Sequence, residues 1–338
     1  MEPNEDKTGV IVGVQNDVPV KGGNAAQRRE HDKRIGAGIM SRSGAQCPCC
    51  PAIMTMEDLR LEGKAGRLGE LMTAVVVDGK KGKEYRLPTK QEIQNATESA
   101  NEIDRMYSEI PFGMPYESLP SKEALGFRVP LYGFDQWGKL FTKRQLLALG
   151  TFVKRSRDVK EFINFNQYPS DWIEAIESYL AAIFDFVINR NSTICTWTIT
   201  RETTRGTFAR FALPITWDFS EAALLGAGSG GYFGAIDWIS LFIDHAIYFI
   251  GQSPTPKAKS KSATQEQDEK YDIIVTDPPY YDAIPYSDTM DFFYVWLRRT
   301  LHGLSTEIDE AFKDSLAPKW NLEKGDGELI DDASRFSG

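Results

Sequence analysis

Asp277-Pro278-Pro279-Tyr280 sets an acid, two prolines and an aromatic ring directly behind the apolar run Ile273-Ile274-Val275. The prolines fix φ twice and remove two N–H donors, which leaves a stiff platform whose carbonyls still accept hydrogen bonds. Such equipment suits an exocyclic amino group on a planar heterocycle. The amine has two hydrogens to donate: the Asp277 carboxylate takes one and the Pro278 carbonyl takes the other. The nitrogen lone pair is then drawn out of conjugation and is ready for an electrophilic methyl. Tyr280 offers a face on which the ring stacks. A base inside a duplex does not reach a pocket of this kind, so it must be flipped out or already unpaired. The plain structural alternative is a Pro-rich turn after a strand.

Three other groups invite chemistry. Cys47 and Cys50, in "CPCCP", have the spacing that places two thiolates on one tight turn, as in half of a zinc ribbon. A structural site needs four ligands, and no second pair lies downstream. Lys80, Lys81, Lys83 and Arg86 concentrate positive charge on the hairpin-like stretch "LMTAVVVDGKKGKEYRLP", with its turn at Asp78-Gly79. They read equally as an ordinary charged turn or as phosphate contacts with nucleic acid. Gly226, Gly228 and Gly231 fit G-x-G-x-x-G literally, but no buried strand leads into them, so a turn is the better reading.

The elements that must position these groups follow from periodicity. Ile273–Val275 is a short continuous apolar run, as expected of a parallel strand covered on both faces. Ligands of open α/β sheets sit at the carboxyl ends of such strands. Behind the motif, Phe292, Phe293, Trp296, Leu297 and Leu301 fall at core helical spacing, with Arg298 and Arg299 as solvated helix-end charges. Helices are expected from about Lys90, after Thr142 as N-cap, from Ser170 to Asn189, and from about Ala235. The Ser170–Asn189 stripe includes Trp172, Ile173, Ile176, Tyr179, Leu180, Ile183, Phe184 and Val187. "TICTWTIT" alternates like a strand and makes Cys195 a buried small residue rather than a nucleophile. Domain boundaries are expected as a polar, poorly ordered lead-in (1–45), a zinc-ribbon-like and hairpin insert (46–130), a helical and strand region (131–250), a polar linker (251–270) and the motif-bearing part (271–338).

The totals limit the classes. With 338 residues, 41% apolar and 12% aromatic, the chain is large enough for two or three ordinary domains. A net charge of −9 argues against sequence-blind coating of nucleic acid but leaves room for a local basic groove. No uninterrupted apolar stretch of about 18 or more residues exists, so no membrane span is expected. The polar start "MEPNEDKTGV" is unlike a secretory signal, and four cysteines, three of them clustered, are unlike a disulfide framework. A reduced, cytoplasmic setting is expected.

"DPPY" resembles the catalytic motif of amino-group DNA methyltransferases. The longer string "TDPPYYDAIPYSDTMDFFYVWLRR" is similar to large adenine-specific DNA methylases that carry a zinc-ribbon insert. "CPCC", "TAVVVDGKKGKEYRLPT", "GFRVPLYGFDQWGKLFTKRQLLAL" and "FARFALPITWDFSEAA" agree with it, so the resemblance runs from about Cys47 to Phe336. It implies an α/β fold: a partial Rossmann-like methyltransferase sheet with an inserted mixed α+β region. It implies S-adenosylmethionine as cofactor, DNA as partner and adenine N6 as target, with Asp277, Pro278 and Tyr280 in the roles given above. Serine in the first position is commoner for cytosine N4, and asparagine for several RNA and protein methylases. The family's Gly-rich cofactor loop, Asp-Pro-Phe-x-Gly-Gly-Gly, has no counterpart here. The chain therefore looks like the central part of a longer enzyme, or one product of a split gene whose second polypeptide carries that loop. The alternative is a noncatalytic DNA-binding or scaffold part of such an enzyme.

Overall fold

A computed structural model describes residues 1–15, 23–120, 126–165, 167–210, 212–226, 228–251, 253–254, 256–257, 269–277, 286–321, 323, 325 and 327. The chain is mixed α/β, dominated by helix, with small antiparallel sheets among the described residues. It divides into two compact units, Met1–Glu98 with Leu131–Gly133, and Ser99–Pro130 with Phe134–Gly338.

In the first unit, β1 (Glu2–Pro3) pairs with β2 (Val10–Ile11). Helix α1 (Ala25–Ile35) then falls within the stretch expected to be poorly ordered. Its start is written in the side chains: Asn24 accepts from the Gln27 N–H at 2.9 Å, and Gln27 accepts from the Asn24 N–H at 3.2 Å. This reciprocal cap satisfies two otherwise orphaned donors without any apolar stripe. Strands β3 (Met40–Ser41), β4 (Gly44–Gln46) and β5 (Ile53–Thr55) form an antiparallel meander. Gly44 has φ +141°, and a Cβ there would fall 2.0 Å from the Met54 carbonyl oxygen, so only glycine fits. Thr55 and Asp58 cap α2 (Met56–Lys64) reciprocally. Strands β6 (Val75–Gly79) and β7 (Gly82–Arg86) form the expected hairpin, followed by α3 (Lys90–Glu98). Its turn is Lys80-Lys81 rather than Asp78-Gly79, because Gly79 pairs with Gly82 and Gly82 takes φ +129°. That φ lies where glycine is free to go and a Cβ-bearing residue is strained.

In the second unit, α4 (Ile103–Ser108), α5 (Lys143–Phe165) and α6 (Ser170–Ile188) precede β8 (Trp197–Thr198) and β9 (Thr203–Thr204), and α7 (Tyr232–Ile250), α8 (Tyr286–Leu301) and α9 (Thr306–Ala311) come after them. Helices α5, α6 and α8 pack against one another, α4 packs on α5, and α7 on α6. The fully buried Phe127, Trp137, Leu149, Val187, Phe292 and Trp296 are the heart of this core. Thr142 opens α5 as expected, accepting from the Gln145 N–H at 3.2 Å while Gln145 accepts from the Thr142 N–H at 2.8 Å.

Several expectations are corrected. The "TICTWTIT" strand shrinks to two residues, and Ile199 is exposed: Cys195 donates into a turn on Ser192, and Thr196 makes an isolated antiparallel bridge with Phe219. On α6, Ile173, Ile183, Phe184 and Val187 are buried, but Trp172 and Tyr179 are not. The face that packs on α5, α7 and α8 is narrower than the stripe. Ile273–Thr276 is not a buried parallel strand: the described segment has no strand partner, and Ile273, Ile274 and Val275 are 76–89% exposed. A parallel strand is stable only between neighbours, and none stands beside it among the described residues. Finally, α7 is long and apolar enough, by length and composition, to cross a membrane. Asp237, Ser240, Asp244 and His245 interrupt its sequence, which is why no uninterrupted run announced it.

Candidate functional site

Asp277 is exposed, as is the rest of the described segment Tyr271–Asp277, which has no regular secondary structure. The Tyr271 hydroxyl donates to the Glu269 carboxylate at 2.7 Å, and that bond holds the phenol above its ordinary range. Pro278, Pro279 and Tyr280 lie outside the described residues.

The helix behind the motif is held firmly. Helix α8 buries Phe292, Trp296 and Leu301, with Phe293 and Leu297 half-buried beside them. Near its start, Asp291 is 1% exposed, accepts from the Ala317 N–H at 2.9 Å and pairs with Lys319 at 2.9 Å. Burial raises the Asp291 carboxyl, and the Lys319 charge opposes the rise. Lys319 also donates to the Ser287 carbonyl. At the other end, Arg157 of α5 donates to the carbonyls of Arg299, Thr300 and His302, at 2.7 Å for the last, and Lys160 donates to Gly303 at 2.6 Å. The Arg299 and Thr300 carbonyls are among those a helix leaves unpaired at its C-terminus, and those of His302 and Gly303 follow just past it.

The expectation of solvated Arg298 and Arg299 is overturned. Arg299 is 1% exposed. Its guanidinium pairs with Glu117 at 2.9 Å and donates to the carbonyls of Gly113 and Met114 at 2.8 Å and of Phe112 at 3.4 Å. Phe112 and Gly113 take φ of +62° and +61°, which turns that loop inward toward the charge. Arg298 lies 3.6 Å over the Phe112 ring and 3.5 Å from Glu117. Sequence reasoning missed this cluster and the clamps Arg157, Lys160 and Lys319. The partners named here are 28 to 187 residues away in sequence, so no local pattern marks them.

The basic hairpin divides. Lys83 pairs with Asp78 across the strands at 2.5 Å. Arg86 forks onto Glu92 at 2.7 and 2.8 Å, and that pairing with Thr89 brings the Glu92 carboxyl down to about 2. Both cations are therefore engaged within the fold. Lys80 and Lys81 stand exposed at the turn.

The cysteines share the turn between β4 and β5. The backbone N–H groups of Cys49 and Cys50 point at the Cys47 sulfur and hold its thiol below the ordinary range. Backbone N–H groups aimed at a sulfur favour its charged form. Cys49 donates to the Gly9 carbonyl at 3.2 Å. Among the described residues no group of three or more His, Cys, Asp or Glu is placed to hold a metal, so these residues do not fit a closed zinc site. Cys195 is fully buried beside Ser192 and Thr207, and burial raises its thiol.

The glycine run leads into α7 with Gly231 as its N-cap. A Cβ on Gly231 would lie 2.0 Å from the Gly226 carbonyl oxygen and 3.1 Å from that of Gly228. The glycines are spent on closing the turn upon itself. The described glycines of this turn therefore leave no open cradle at the start of α7. No family model matches the chain, and no curated protein or solved structure matches it either.

Proposed function

We propose that the chain is the amine-binding part of an S-adenosylmethionine-dependent DNA methyltransferase that acts on adenine N6. The observation that carries this reading is the string Asp277-Pro278-Pro279-Tyr280, in which an exposed carboxylate precedes a helix anchored at both ends. Asp277 and the Pro278 carbonyl accept the two amine hydrogens, and Tyr280 stacks on the flipped base. Lys80 and Lys81 are the remaining candidates for phosphate contact. The donor itself would be bound by a second polypeptide, since the glycine turn at 226–231 is closed. Ile273–Thr276 would then become a strand of a Rossmann-like sheet, beside strands supplied by that second polypeptide. The same closed turn favours a second reading, a DNA-binding or scaffold part without catalysis.

Tritiated methyl transfer to mixed-sequence DNA tests both, using the chain alone and together with the polypeptides encoded beside it. The expected product is N6-methyladenine, and only the combined preparation makes it. Asp277→Ala should lower the single-turnover rate by roughly 100- to 1,000-fold, the effect of losing one donor or acceptor aimed at the reacting atom. DNA affinity should stay nearly intact, because phosphate contacts dominate it. Label on cytosine, RNA or protein, or near-normal rates for Asp277→Ala, would count against the reading. DNA binding with no transfer in any combination would favour the scaffold.

A further inference from the structure

Residues 189–217 carry four arginines, one acid and no lysine, in a chain whose net charge is −9. Arg190 is engaged inside the fold: its guanidinium lies 3.8 Å from the Phe186 ring centroid and donates to the Phe186 carbonyl at 3.4 Å. Arg201, Arg205 and Arg210 are exposed. Arg128, also exposed, stands beside the same stretch, since Phe127 bridges to Leu213 and the Arg128 N–H donates to the Leu213 carbonyl at 3.0 Å. Among the described residues these last four guanidiniums have no ion pair or hydrogen bond, whereas Arg144 forks onto Glu221 at 2.6 and 2.8 Å. One exposed arginine is ordinary. Four without acids, on one short stretch of an acidic chain, are a local reversal of its field.

The backbone that carries them is anchored. The Arg205 N–H donates to the Thr196 carbonyl at 2.8 Å as the chain leaves the β8–β9 hairpin. Two residues on, buried Thr207 donates its N–H and its hydroxyl to the Asn189 carbonyl, at 2.6 and 2.9 Å, where α6 ends. Arg201 stands in the hairpin turn beside exposed Thr200, and Ile199 of that turn is 84% exposed. We propose that Arg128, Arg201, Arg205 and Arg210 form a contact surface for the phosphate backbone of DNA. A guanidinium presents a planar fork of donors that matches two phosphate oxygens, and hydroxyls such as that of Thr200 donate to the same groups. Because the backbone is already fixed, less ordering is lost on binding. The surface adds to Lys80 and Lys81. It rests on the proposed function for its choice of DNA and requires no methyl transfer.

Fluorescence anisotropy of a labelled mixed-sequence duplex, titrated with the full chain at several salt concentrations, tests it. Four phosphate contacts contribute about −3.6 to the slope of log K against log salt, so going from about 50 to about 200 mM salt should weaken wild-type binding roughly 150-fold or more. Arg205→Gln should make that slope shallower by about 0.9, and the quadruple Gln variant by about 3.6. Melting of both should match the wild type, since no bond within the fold is lost. Arg155→Gln is the control for net charge: Arg155 pairs with Asp158 at 3.0 Å on α5, and its variant should keep the wild-type slope. No duplex binding by the wild type, an unchanged slope in the quadruple variant, or an equal loss in Arg155→Gln would overturn the proposal. Poly-L-glutamate bound as tightly as the duplex would assign the surface to an acidic protein and overturn it too. Normal binding by the quadruple variant, with transfer lost in Asp277→Ala, would sink this surface alone. Binding lost in the quadruple variant, with no transfer in any combination, would uphold the surface and sink the methylation reading.

Discussion

Arg299 shows how a single residue can organise distant chain. One guanidinium holds Glu117 and three carbonyls of the Phe112–Met114 turn, and Arg157 caps the helix end from which it projects. Arg299→Ala would leave Glu117 and those carbonyls buried without their donor. The expected cost is about 3–5 kcal/mol, read from urea unfolding. Arg299→Lys should recover little of it, because an ammonium lacks the planar fork that reaches two sides at once. Glu177 carries the opposite strain. It is 3% exposed, one of its oxygens has no hydrogen-bond partner, and burial lifts its carboxyl from 4.5 to about 7 against the pull of Arg157 and Lys160. The folded state therefore holds the proton more tightly than the unfolded chain. This contribution is complete below about pH 4.5, declines as pH rises, and is lost once pH passes about 7. Glu177→Gln should remove that slope and raise stability at pH 8 by on the order of 2–3 kcal/mol, with little change at pH 4. Urea midpoints at the two pH values check this, and equal slopes in both proteins would show that Glu177 ionises freely.

Among the elements, the caps are the most local devices and the easiest to test. Asn24 with Gln27, Thr55 with Asp58, and Thr142 with Gln145 each start a helix by the same reciprocal exchange. Thr142→Ala should cost about 1–2 kcal/mol, since this cap is buried and water cannot replace it. A loss indistinguishable from zero in thermal unfolding would mean that α5 is held by packing alone. Helix α8 and the segment before it stand in contrast. The helix is clamped by Lys319, Arg157 and Lys160, whereas Tyr271–Asp277 has no backbone partner among the described residues. Amide exchange should therefore be fast across residues 271–277 and slow from Phe292 to Thr300.

At the level of the whole molecule, the core cluster of the second unit draws all its residues from Ile103 onward. The first unit, residues 1–98 with Leu131–Gly133, is built instead, among its described residues, from short strands, a hairpin and three helices. A chain beginning at Ser99 should keep the packed aromatic core, with the near-UV circular dichroism of Trp137 and Trp296 and a cooperative melt. Loss of both signals would mean that the first unit is needed for the second to fold.

Much of this architecture was legible in the residues. The helices at 90, 143 and 170, the β6–β7 hairpin, buried Cys195 and the core face of α8 all arise from caps, turns and periodicity, which act over a few residues. The motif Asp277-Pro278-Pro279-Tyr280 was legible only as a string of residue types. Periodicity failed where the outcome depends on a distant neighbour. Ile273–Val275 has the composition of a buried strand, yet burial needs flanking strands, and no residue type can supply them. Arg299 reads as a solvated helix-end charge, yet tertiary packing brings Glu117 and an inward-turned loop to it and makes it the anchor of the core. Short-range hydrogen bonding is encoded in adjacent side chains. Whether a charge or an apolar run ends up in water is fixed by which remote surfaces meet it.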